Sequence, residues 1–485
     1  MDKNKPTALI IGAGPSGLAL AYELIQLNSD IRPVIIDKLP QVGGLSRTIY
    51  DDKSGIDLGG HRLFTKDKYV ESIWKRFLKE QNAPALDDIH ANRNLKFQKT
   101  GADPNFKDDV LLLRKRFSSV IKDKKKINYP IRFNPDTFKK LGFASSSQAL
   151  LSYLKALVFK RNEKNFEDFL INKFGRYLYN LYFKEHSKKV WGVEASELVN
   201  EWGRERIQKS LFSANKIWED EYYYPKYGCS QLWDKMAQYI IDNGGDIILN
   251  CEFLNFEIKQ DNIISAKVKC PNLISDISAN YFISSIPISD IIKSVEAPFD
   301  IKQNALNLPY RDYILVSLYT TKFNLKNTTK YPTLNDVTPD NWIYLQEKNT
   351  IASRLQIMNN WSPYLVEDFK NKYLVSLEYF CNKNDDLWNL SDDEITKLAL
   401  SECEKYGFFD RYDIYKTKVI RELKAYPVYS GTYKYINKIK NHLKTYKNLY
   451  LMGRCGEHKY INMDLAMVCG INIARDINKG YVNEK

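Results

Sequence analysis

The fold is decided by residues Ala8–Arg47, ALIIGAGPSGLALAYELIQLNSDIRPVIIDKLPQVGGLSR. The stretch opens with a short apolar run, Ala8–Ile11, that is typical of a buried parallel strand. Three glycines at G-x-G-x-x-G spacing and a helical apolar pattern follow it. A second apolar run, Pro33–Ile36, ends at Asp37. This order predicts a βαβ unit that binds a dinucleotide: a strand, a glycine turn, a helix, a second strand and an acidic residue.

Each glycine of the turn has a separate physical role. Gly12 makes the tight turn, Gly14 lets the backbone approach a pyrophosphate, and Gly17 lets the helix pack closely on the strand. The helix N-terminus then presents its positive end to the phosphates, and Asp37 is placed to bind a ribose. The alternative is an ordinary βαβ unit whose glycines serve the turn only. The predicted cofactor contacts in this unit are Gly12, Gly14, Ser16, Gly17, Asp37 and Lys38.

The residues after Asp37 indicate which dinucleotide, NAD or FAD, this unit is expected to bind. A second glycine pair, Gly43-Gly44, precedes Arg47, and a D-x-G-G element ends at His61. This pattern resembles the flavoprotein family that includes monoamine oxidases, protoporphyrinogen oxidases and UDP-galactopyranose mutases. The resemblance implies FAD, with the second glycine pair along its ribityl-diphosphate region and the histidine near the isoalloxazine. The alternative for the histidine is a surface side chain in a glycine turn. The resemblance adds Gly44, Leu45, Arg47, Gly60 and His61 to the cofactor contacts.

Composition limits the other possibilities. A chain of 485 residues exceeds one simple core, and 44% hydrophobic residues make it globular. The net charge of +13 suits an anionic ligand, nucleic acid or an acidic membrane surface, but a solvated lysine-rich surface accounts for most of it. We expect no nucleic-acid partner, no signal peptide and no membrane insertion. Seven scattered cysteines indicate neither a disulfide framework nor a zinc site, so we predict no metal and a cytoplasmic protein.

The predicted fold class is α/β. It combines a Rossmann-type, glutathione-reductase-like FAD-binding domain with an inserted helical lobe and a substrate domain built on a mixed or antiparallel sheet. Finer expectations are a meander over Asp246–Ile264 and one helix over Leu387–Phe408. The predicted domains are residues 1–75, 226–300 and 440–485 for FAD binding, 130–225 for the helical lobe, and 300–440 for the substrate sheet.

Two internal segments resemble substrate-binding segments of the mutases. KKVWGVEASELVNEWGRERI, residues Lys188–Ile207, resembles their W-G-x-x-x-x-E-L segment. The resemblance implies that Arg206 meets a substrate diphosphate, with Arg204, two residues earlier, as the alternative. Arg354, in IASRLQIMNNWSP, resembles the arginine of T-R-I-x-E-x-K, which contacts sugar-nucleotide phosphates. Guanidinium suits this task because it binds phosphate oxygens in a fork. The alternatives are a helix-surface arginine and an outward-facing strand arginine.

The C-terminal stretch NLYLMGRCGEHKYINMDLAM, Asn448–Met467, resembles the pyranose–furanose mutases most closely. By that resemblance Tyr460 donates its hydroxyl to a substrate phosphate. A helix beginning near Asn462 would place its positive end at the flavin and stabilise the charge of the reduced form. The sequence departs from the mutases at Asn462, where they often carry aspartate, and in its G-G-H-R-x-F element, so the sugar stays open. The cofactor contacts implied here are Gly453, Arg454, Asn462, Met463 and Asp464.

The resemblance implies a FAD-dependent nucleotide-sugar mutase, an intramolecular transferase for surface polysaccharide synthesis. N5 of reduced flavin would attack the anomeric carbon of an NDP-sugar, and NAD(P)H would supply the electrons. His61, Arg206, Arg354 and Tyr460 are the predicted catalytic residues. The alternative is an oxidoreductase of the amine oxidase or protoporphyrinogen oxidase type, and a third reading is a non-catalytic FAD-bound scaffold. A homodimer stays open.

Overall fold

The computed structural model describes residues 5–129, 139–201, 203 and 221–484. The predicted βαβ unit is present as β1 (Thr7–Ile11), α1 (Pro15–Gln26) and β2 (Arg32–Ile36), and the two strands pair in parallel. Pro15 lies in the first turn of α1, where its missing N–H costs nothing. The glycine turn is tied to the end of β2, because the Gly12 N–H donates to the Ile36 carbonyl at 2.8 Å.

The remaining regular elements follow in chain order. The other strands are β3 (Thr48–Asp51), β4 (Ser54–Asp57), β5 (Lys79–Glu80), β6 (Val110–Lys115), β7 (Ser118–Lys122), β8 (Lys125–Asn128), β9 (Glu221–Pro225), β10 (Asp246–Ile248), β11 (Glu252–Lys259), β12 (Asn262–Cys270), β13 (Leu273–Ser278), β14 (Tyr281–Ser284), β15 (Tyr310–Thr320), β16 (Trp342–Leu345), β17 (Arg354–Ile357), β18 (Tyr373–Cys381), β19 (Ile414–Pro427) and β20 (Leu449–Leu451). The other helices are α2 (Lys68–Phe77), α3 (Leu86–His90), α4 (Phe143–Val158), α5 (Phe166–Leu178), α6 (Lys184–Trp191), α7 (Ser230–Asp242), α8 (Ile288–Ile291), α9 (Phe299–Leu306), α10 (Asp386–Asn389), α11 (Asp392–Lys405), α12 (Ile436–Leu443), α13 (Gly453–Gly456) and α14 (Met463–Glu484).

A five-stranded parallel sheet forms the centre of the nucleotide-binding part, in the order β10-β2-β1-β14-β20. Helices α1, α7 and α14 contribute buried apolar residues to one core against it. The antiparallel strands β11–β13 and helices α8, α9 and α12 build a second core. The predicted α/β class with a Rossmann-type sheet is therefore confirmed. The strands come from three distant parts of the chain, while the division into three domains stays a prediction.

A seven-stranded mixed sheet forms the second large sheet of the protein, in the order β19-β15-β18-β17-β16-β7-β8. Its neighbours pair antiparallel except β16 and β7, which run parallel. The predicted mixed or antiparallel sheet is therefore present, with β15–β18 as its middle strands. The sequence pattern did not indicate that Ser118–Lys122 would join them, because a parallel partner more than two hundred residues away leaves no local signal.

The predicted helical lobe is present as α4, α5 and α6. Helix α4 packs on α5, where the Ser152 hydroxyl accepts from the Tyr177 N–H at 3.0 Å. Gly175 kinks α5 with a φ of +79°, and a Cβ there would lie 2.8 Å from the Ser152 backbone. Glycine is therefore required at this contact for both its conformation and its size.

Two finer expectations, the meander and the single helix, are corrected. Residues Asp246–Ile248 extend the parallel sheet, so the meander spans Glu252–Ser278 and not Asp246–Ile264. The single helix predicted over Leu387–Phe408 is two helices, because Ser391 caps the second one in a capping box with Glu394.

The cysteine expectation is also wrong, since Cys251 and Cys270 form a disulfide. The two residues lie beside the paired ends of β11 and β12, with their Cα atoms 4.2 Å apart. Their sequence separation of 19 gives no motif, so only the strand pairing brings them together. No helix among the described residues is long and apolar enough to cross a lipid bilayer.

Candidate functional site

One cavity of about 2700 Å³ runs between the parallel sheet and the mixed sheet. Its volume exceeds the 300–1,000 Å³ typical of a site for one small ligand, so it has room for a dinucleotide and a second molecule. Sixteen of the predicted site residues line it, from both ends of the chain: Gly12, Gly14, Ser16, Asp37, Lys38, Gly44, Leu45, Arg47, Gly60, His61, Arg354, Arg454, Tyr460, Asn462, Met463 and Asp464.

The glycine turn forms a close-packed wall of this cavity. A Cβ on Gly17 would lie 2.1 Å from the Gly12 carbonyl oxygen, so α1 sits against the turn only because position 17 has no side chain. Gly12 has a φ of +113°, and a Cβ there would meet the Ser285 hydroxyl at 2.1 Å. A Cβ on Gly14, by contrast, meets only the Gly44 Cα, at 3.9 Å. The space beside Gly14 is therefore open on the cavity side.

Asp37 lies at the end of β2 beside the glycine turn. Its carboxylate accepts from the Ala13 N–H at 2.7 Å and from the Leu39 N–H at 2.9 Å. Each oxygen keeps a lone pair for a further donor such as a ribose hydroxyl. Arg47 donates to the Gly44 carbonyl at 2.8 Å and forms a buried ion pair with Glu422, so its guanidinium is held at the second glycine pair.

His61 stands on a loop held by a buried acid. Asp57 accepts from the Thr48 hydroxyl at 2.6 Å and the Tyr224 hydroxyl at 2.7 Å, and one of its oxygens lies 3.9 Å from His61 Nδ1. Within the described part of the chain, that nitrogen is buried without a hydrogen bond. The donor atoms of Asp57, His61 and Cys229 lie within 4.8 Å of one another. Burial, with Asp57 nearby, raises the pKa of Cys229 well above its usual value, so it stays a thiol and a poor metal ligand.

The C-terminal motif brings its residues to the opposite wall. Arg454 donates through Nε at 3.0 Å and Nη2 at 2.9 Å to the Ile461 carbonyl, which fixes the loop before α14. The Arg454 guanidinium carbon lies 4.5 Å from the ring centroid of Tyr460. Gly453 lies behind the wall, where a Cβ would meet the Ser16 hydroxyl at 2.6 Å. Asn462, Met463 and Asp464 stand at the start of α14 and line the cavity, so the positive end of that helix points toward it.

Arg354 is a largely buried residue that lines the cavity, and not an outward-facing strand arginine. Its Nε donates to Glu378 at 2.6 Å, and the pair is 13% and 0% exposed. Burial opposes the charge of Arg354, but Glu378 outweighs it and holds the pKa of the arginine above its usual value. Trp342 donates to the other oxygen of Glu378 at 3.2 Å, so the carboxylate is fully engaged.

Sequence reasoning missed a second cation on this side of the cavity. The Arg62 guanidinium carbon lies 4.8 Å from the ring centroid of Trp342, and that of Arg354 lies 5.0 Å from it. The two charges are therefore at most about 10 Å apart. Arg62 also donates to the Ser118 hydroxyl at 3.2 Å, and no carboxylate of the described residues forms an ion pair with it. The G-G-H-R-x-F element was the available signal, but its arginine had no assigned role.

The aromatic lining around these cations is rich in phenols. Tyr426 stacks on Tyr460 with ring centroids 5.3 Å apart and interplanar angle 23°, and its hydroxyl accepts from Arg354 at 3.4 Å. Burial, with Tyr460 nearby, raises the pKa of Tyr426 to about 12, so its hydroxyl stays a donor at neutral pH. Tyr129 and Tyr344 line the same cavity. Arg206, the other predicted phosphate-binding residue, lies outside the described residues, as does Arg204.

A family profile described as flavin-containing amine oxidoreductase matches residues 15–478. The chain belongs to this family. FAD is the family's cofactor, and the open space at Gly14, the acceptor at Asp37 and the wall at Arg454 suit its phosphates, ribose and ring. These residues therefore fit the cofactor that the family binds.

Known structures share the fold over nearly the whole chain. Reduced UDP-galactopyranose mutase superposes with a TM-score of 0.77 at 18% identity, covering 98% of this chain and 95% of that one. A candidate protoporphyrinogen oxidase from Exiguobacterium sp. 255-15 gives 0.68 at 13%, covering 99% of both chains. Putrescine oxidase bound to putrescine superposes with a TM-score of 0.59 at 15% identity, covering 98% of this chain and 99% of that one. At identities this low, the three similarities establish the fold alone.

Curated relatives match over a short stretch only. The ferredoxin–NADP reductase of Wolbachia pipientis is 34% identical over 91 residues, which is 19% of this chain and 25% of that protein. The enzyme of the same name from Rhodopseudomonas palustris is 32% identical over 103 residues, 21% and 28%. The chain thus matches about a quarter of the length of these relatives.

The loop before α14 makes stability depend on pH through His458. This histidine is 1% exposed, and burial lowers its pKa to about 4. Below about pH 6.5 this histidine takes up a proton in the unfolded chain but stays neutral in the folded chain. The free energy of unfolding therefore falls as the pH drops. We expect about 2 kcal/mol less stability from this residue at about pH 5 than at about pH 7.5. Thermal unfolding at both pH values measures it.

The variant His458→Asn removes the titrating group, and asparagine tolerates the left-handed backbone at φ +48°. Its melting temperature should fall less on acidification than that of the natural protein. His90→Asn, at an exposed histidine, is the matched control and should behave as the natural protein does. An equal fall for both variants would contradict the role of His458.

Proposed function

We propose that the protein is a FAD-dependent nucleotide-sugar mutase that interconverts ring forms of an NDP-sugar. The observation that carries the proposal is the lining of the substrate side of the cavity. Arg62 and Arg354 flank Trp342 there, and the phenols of Tyr426 and Tyr460 stand beside them. Amine or porphyrinogen oxidation would favour an apolar pocket, whereas cations and phenol donors suit a diphosphate.

The chain's own residues would hold the leaving group of this reaction. When bound in its reduced form, FAD would supply the nucleophile for the anomeric carbon, and this chain's residues would receive the diphosphate that leaves. Arg62 would take much of the phosphate charge, since Arg354 already shares its own with Glu378. Tyr426 and Tyr460 would donate hydroxyl protons to phosphate oxygens and keep the released diphosphate within reach for return. Asp57 would orient His61 at the cofactor face of the cavity.

The flavin is proposed to act in its reduced form, with NAD(P)H as reductant. The position of the start of α14 at the cavity supports this, because a helix N-terminus stabilises the negative charge of a reduced ring. A cytoplasmic location and a role in surface polysaccharide synthesis belong to the same proposal. The sugar, the nucleotide and the oligomeric state stay open.

One experiment separates the mutase from an oxidoreductase. The FAD-loaded protein is reduced with dithionite without oxygen, given UDP-, dTDP- and GDP-sugars, and the products are separated by anion-exchange chromatography. We expect an isomeric NDP-sugar to accumulate over many turnovers, and only with reduced flavin. Stoichiometric substrate oxidation, or oxygen consumption on adding a substrate in air, would instead support the oxidoreductase.

Binding of the NDP-sugar is tested separately with Arg62→Gln. Losing one charge-assisted contact to phosphate should weaken binding by at least about tenfold, with FAD retained. Arg76→Gln is the matched control, because Arg76 also lies against tyrosine rings but outside the cavity lining. Equal affinities of both variants would remove Arg62 from the site.

A further inference from the structure

Helix α4, in the helical lobe, exposes its large apolar side chains to solvent. The residues it turns inward are small: Ser146, Ala149 and Ala156 are 4%, 0% and 6% exposed. Its large apolar residues recur every three or four positions on the opposite side, where side chains of a helix align. These exposed residues are Phe143, Leu150, Leu151, Leu154, Leu157 and Val158, together with Phe159 directly after the helix, with exposures from 43% to 91%.

The described part of the fold does not explain this outward stripe. Single exposed leucines are ordinary, but a contiguous row of large apolar side chains marks an interaction surface. Helix α4 has its own packing contact on α5 through Ser152, so the outward side is not needed to hold it in place. The stripe is also absent from the lining of the cavity. Its function is therefore separate from binding FAD or the proposed substrate.

Basic residues surround the stripe. Residues 139–164 contain six lysines and arginines and one acid, Glu163. Arg161 pairs with Asp168 of α5, while four lysines of this stretch are exposed: Lys139, Lys155, Lys160 and Lys164. Lys155 lies within the stripe, where a long aliphatic stem can lie on apolar surface while its ammonium reaches polar groups.

An apolar row edged by lysines matches an anionic lipid surface. A symmetric contact between two copies would bring like charges together, which disfavours a dimer through this face. We propose that the outward side of α4 docks on an anionic membrane surface, lying in the interface with its apolar side chains inserted. The cavity lining includes Phe166 and Phe174 of the adjoining α5, so docking would hold the cavity close to the membrane.

Vesicle co-sedimentation of the full, FAD-loaded protein tests this. We expect it to bind phosphatidylcholine vesicles that contain about 30% phosphatidylglycerol, less so pure phosphatidylcholine, and less at high salt. Leu151→Gln with Val158→Gln should lower the partition coefficient at least about tenfold, because two exposed apolar side chains no longer insert. Lys155→Gln with Lys160→Gln should lower it in the anionic vesicles only.

The matched control is Leu273→Gln with Ile274→Gln, at a pair 63% and 58% exposed on β13. This variant should bind vesicles as the natural protein does, and every variant should retain FAD and its melting temperature. No binding by the natural protein, equal binding to neutral vesicles, or binding unaffected by the α4 changes would each overturn the proposal. Light scattering that shows the α4 changes converting a dimer to a monomer would assign the face to a second copy instead.

Discussion

Gly14→Val is expected to give a folded protein that no longer retains FAD. Gly14 has an ordinary extended backbone, with φ −79° and ψ −178°, which a β-branched residue adopts readily. A Cβ there would meet only the Gly44 Cα, at 3.9 Å, which is ordinary van der Waals contact, so the Cβ itself fits without a clash. The added bulk enters the cavity where the glycine turn faces the cofactor phosphates.

We expect the affinity for FAD to fall by about fivefold to a hundredfold, and the flavin absorbance per chain to fall with it, since overpacking costs about 1–3 kcal/mol and about 1.4 kcal/mol is a factor of ten in affinity. Far-ultraviolet circular dichroism should stay the same. The control is Gly480→Val in α14, where an added Cβ meets nothing within 4 Å, and it should keep its FAD. If Gly14→Val keeps its full flavin content, the phosphates do not lie at this turn.

The contrast between Gly14 and Gly17 shows what could be predicted from the sequence. The spacing of the glycines fixed their separate roles, because each role depends on backbone geometry within one βαβ unit. In the structure, a Cβ on Gly17 would collide with the Gly12 carbonyl, while the space at Gly14 is open. The helical lobe and the alternating strands were predictable for the same reason, since periodicity is a local signal.

Features that depend on distant pairing could not be predicted in this way. The partner of β16 is β7, and the Cys251–Cys270 disulfide follows from the register of β11 on β12. The sequence contains Arg62 in its G-G-H-R-x-F element, but it does not show that Arg62 lies near Arg354. That proximity depends on Trp342 of β16, whose ring contacts both guanidinium groups. A charged residue can be assigned to a site only when the residues around it are known, and these residues are distant from it in the sequence.

Arg354 illustrates the same limit for energetics, because its partner Glu378 lies on the neighbouring strand. Arg354→Ala would leave Glu378 buried without its cation, at 0% exposure. Breaking a buried pair from one side costs about 3–5 kcal/mol, so we expect a loss of stability of that size in addition to weaker NDP-sugar binding. Urea unfolding of the FAD-loaded protein measures the loss.

The double variant Arg354→Ala with Glu378→Gln separates the two effects. Removing the orphaned charge should recover part of the stability, while NDP-sugar binding should stay weak because the guanidinium is still missing. Glu378→Gln alone should leave Arg354 able to bind phosphate and should affect binding least. A stability loss below about 1 kcal/mol for Arg354→Ala would mean that the pair is solvated like a surface salt bridge. Recovery of NDP-sugar binding in the double variant would show that Arg354 supports the site only through the fold.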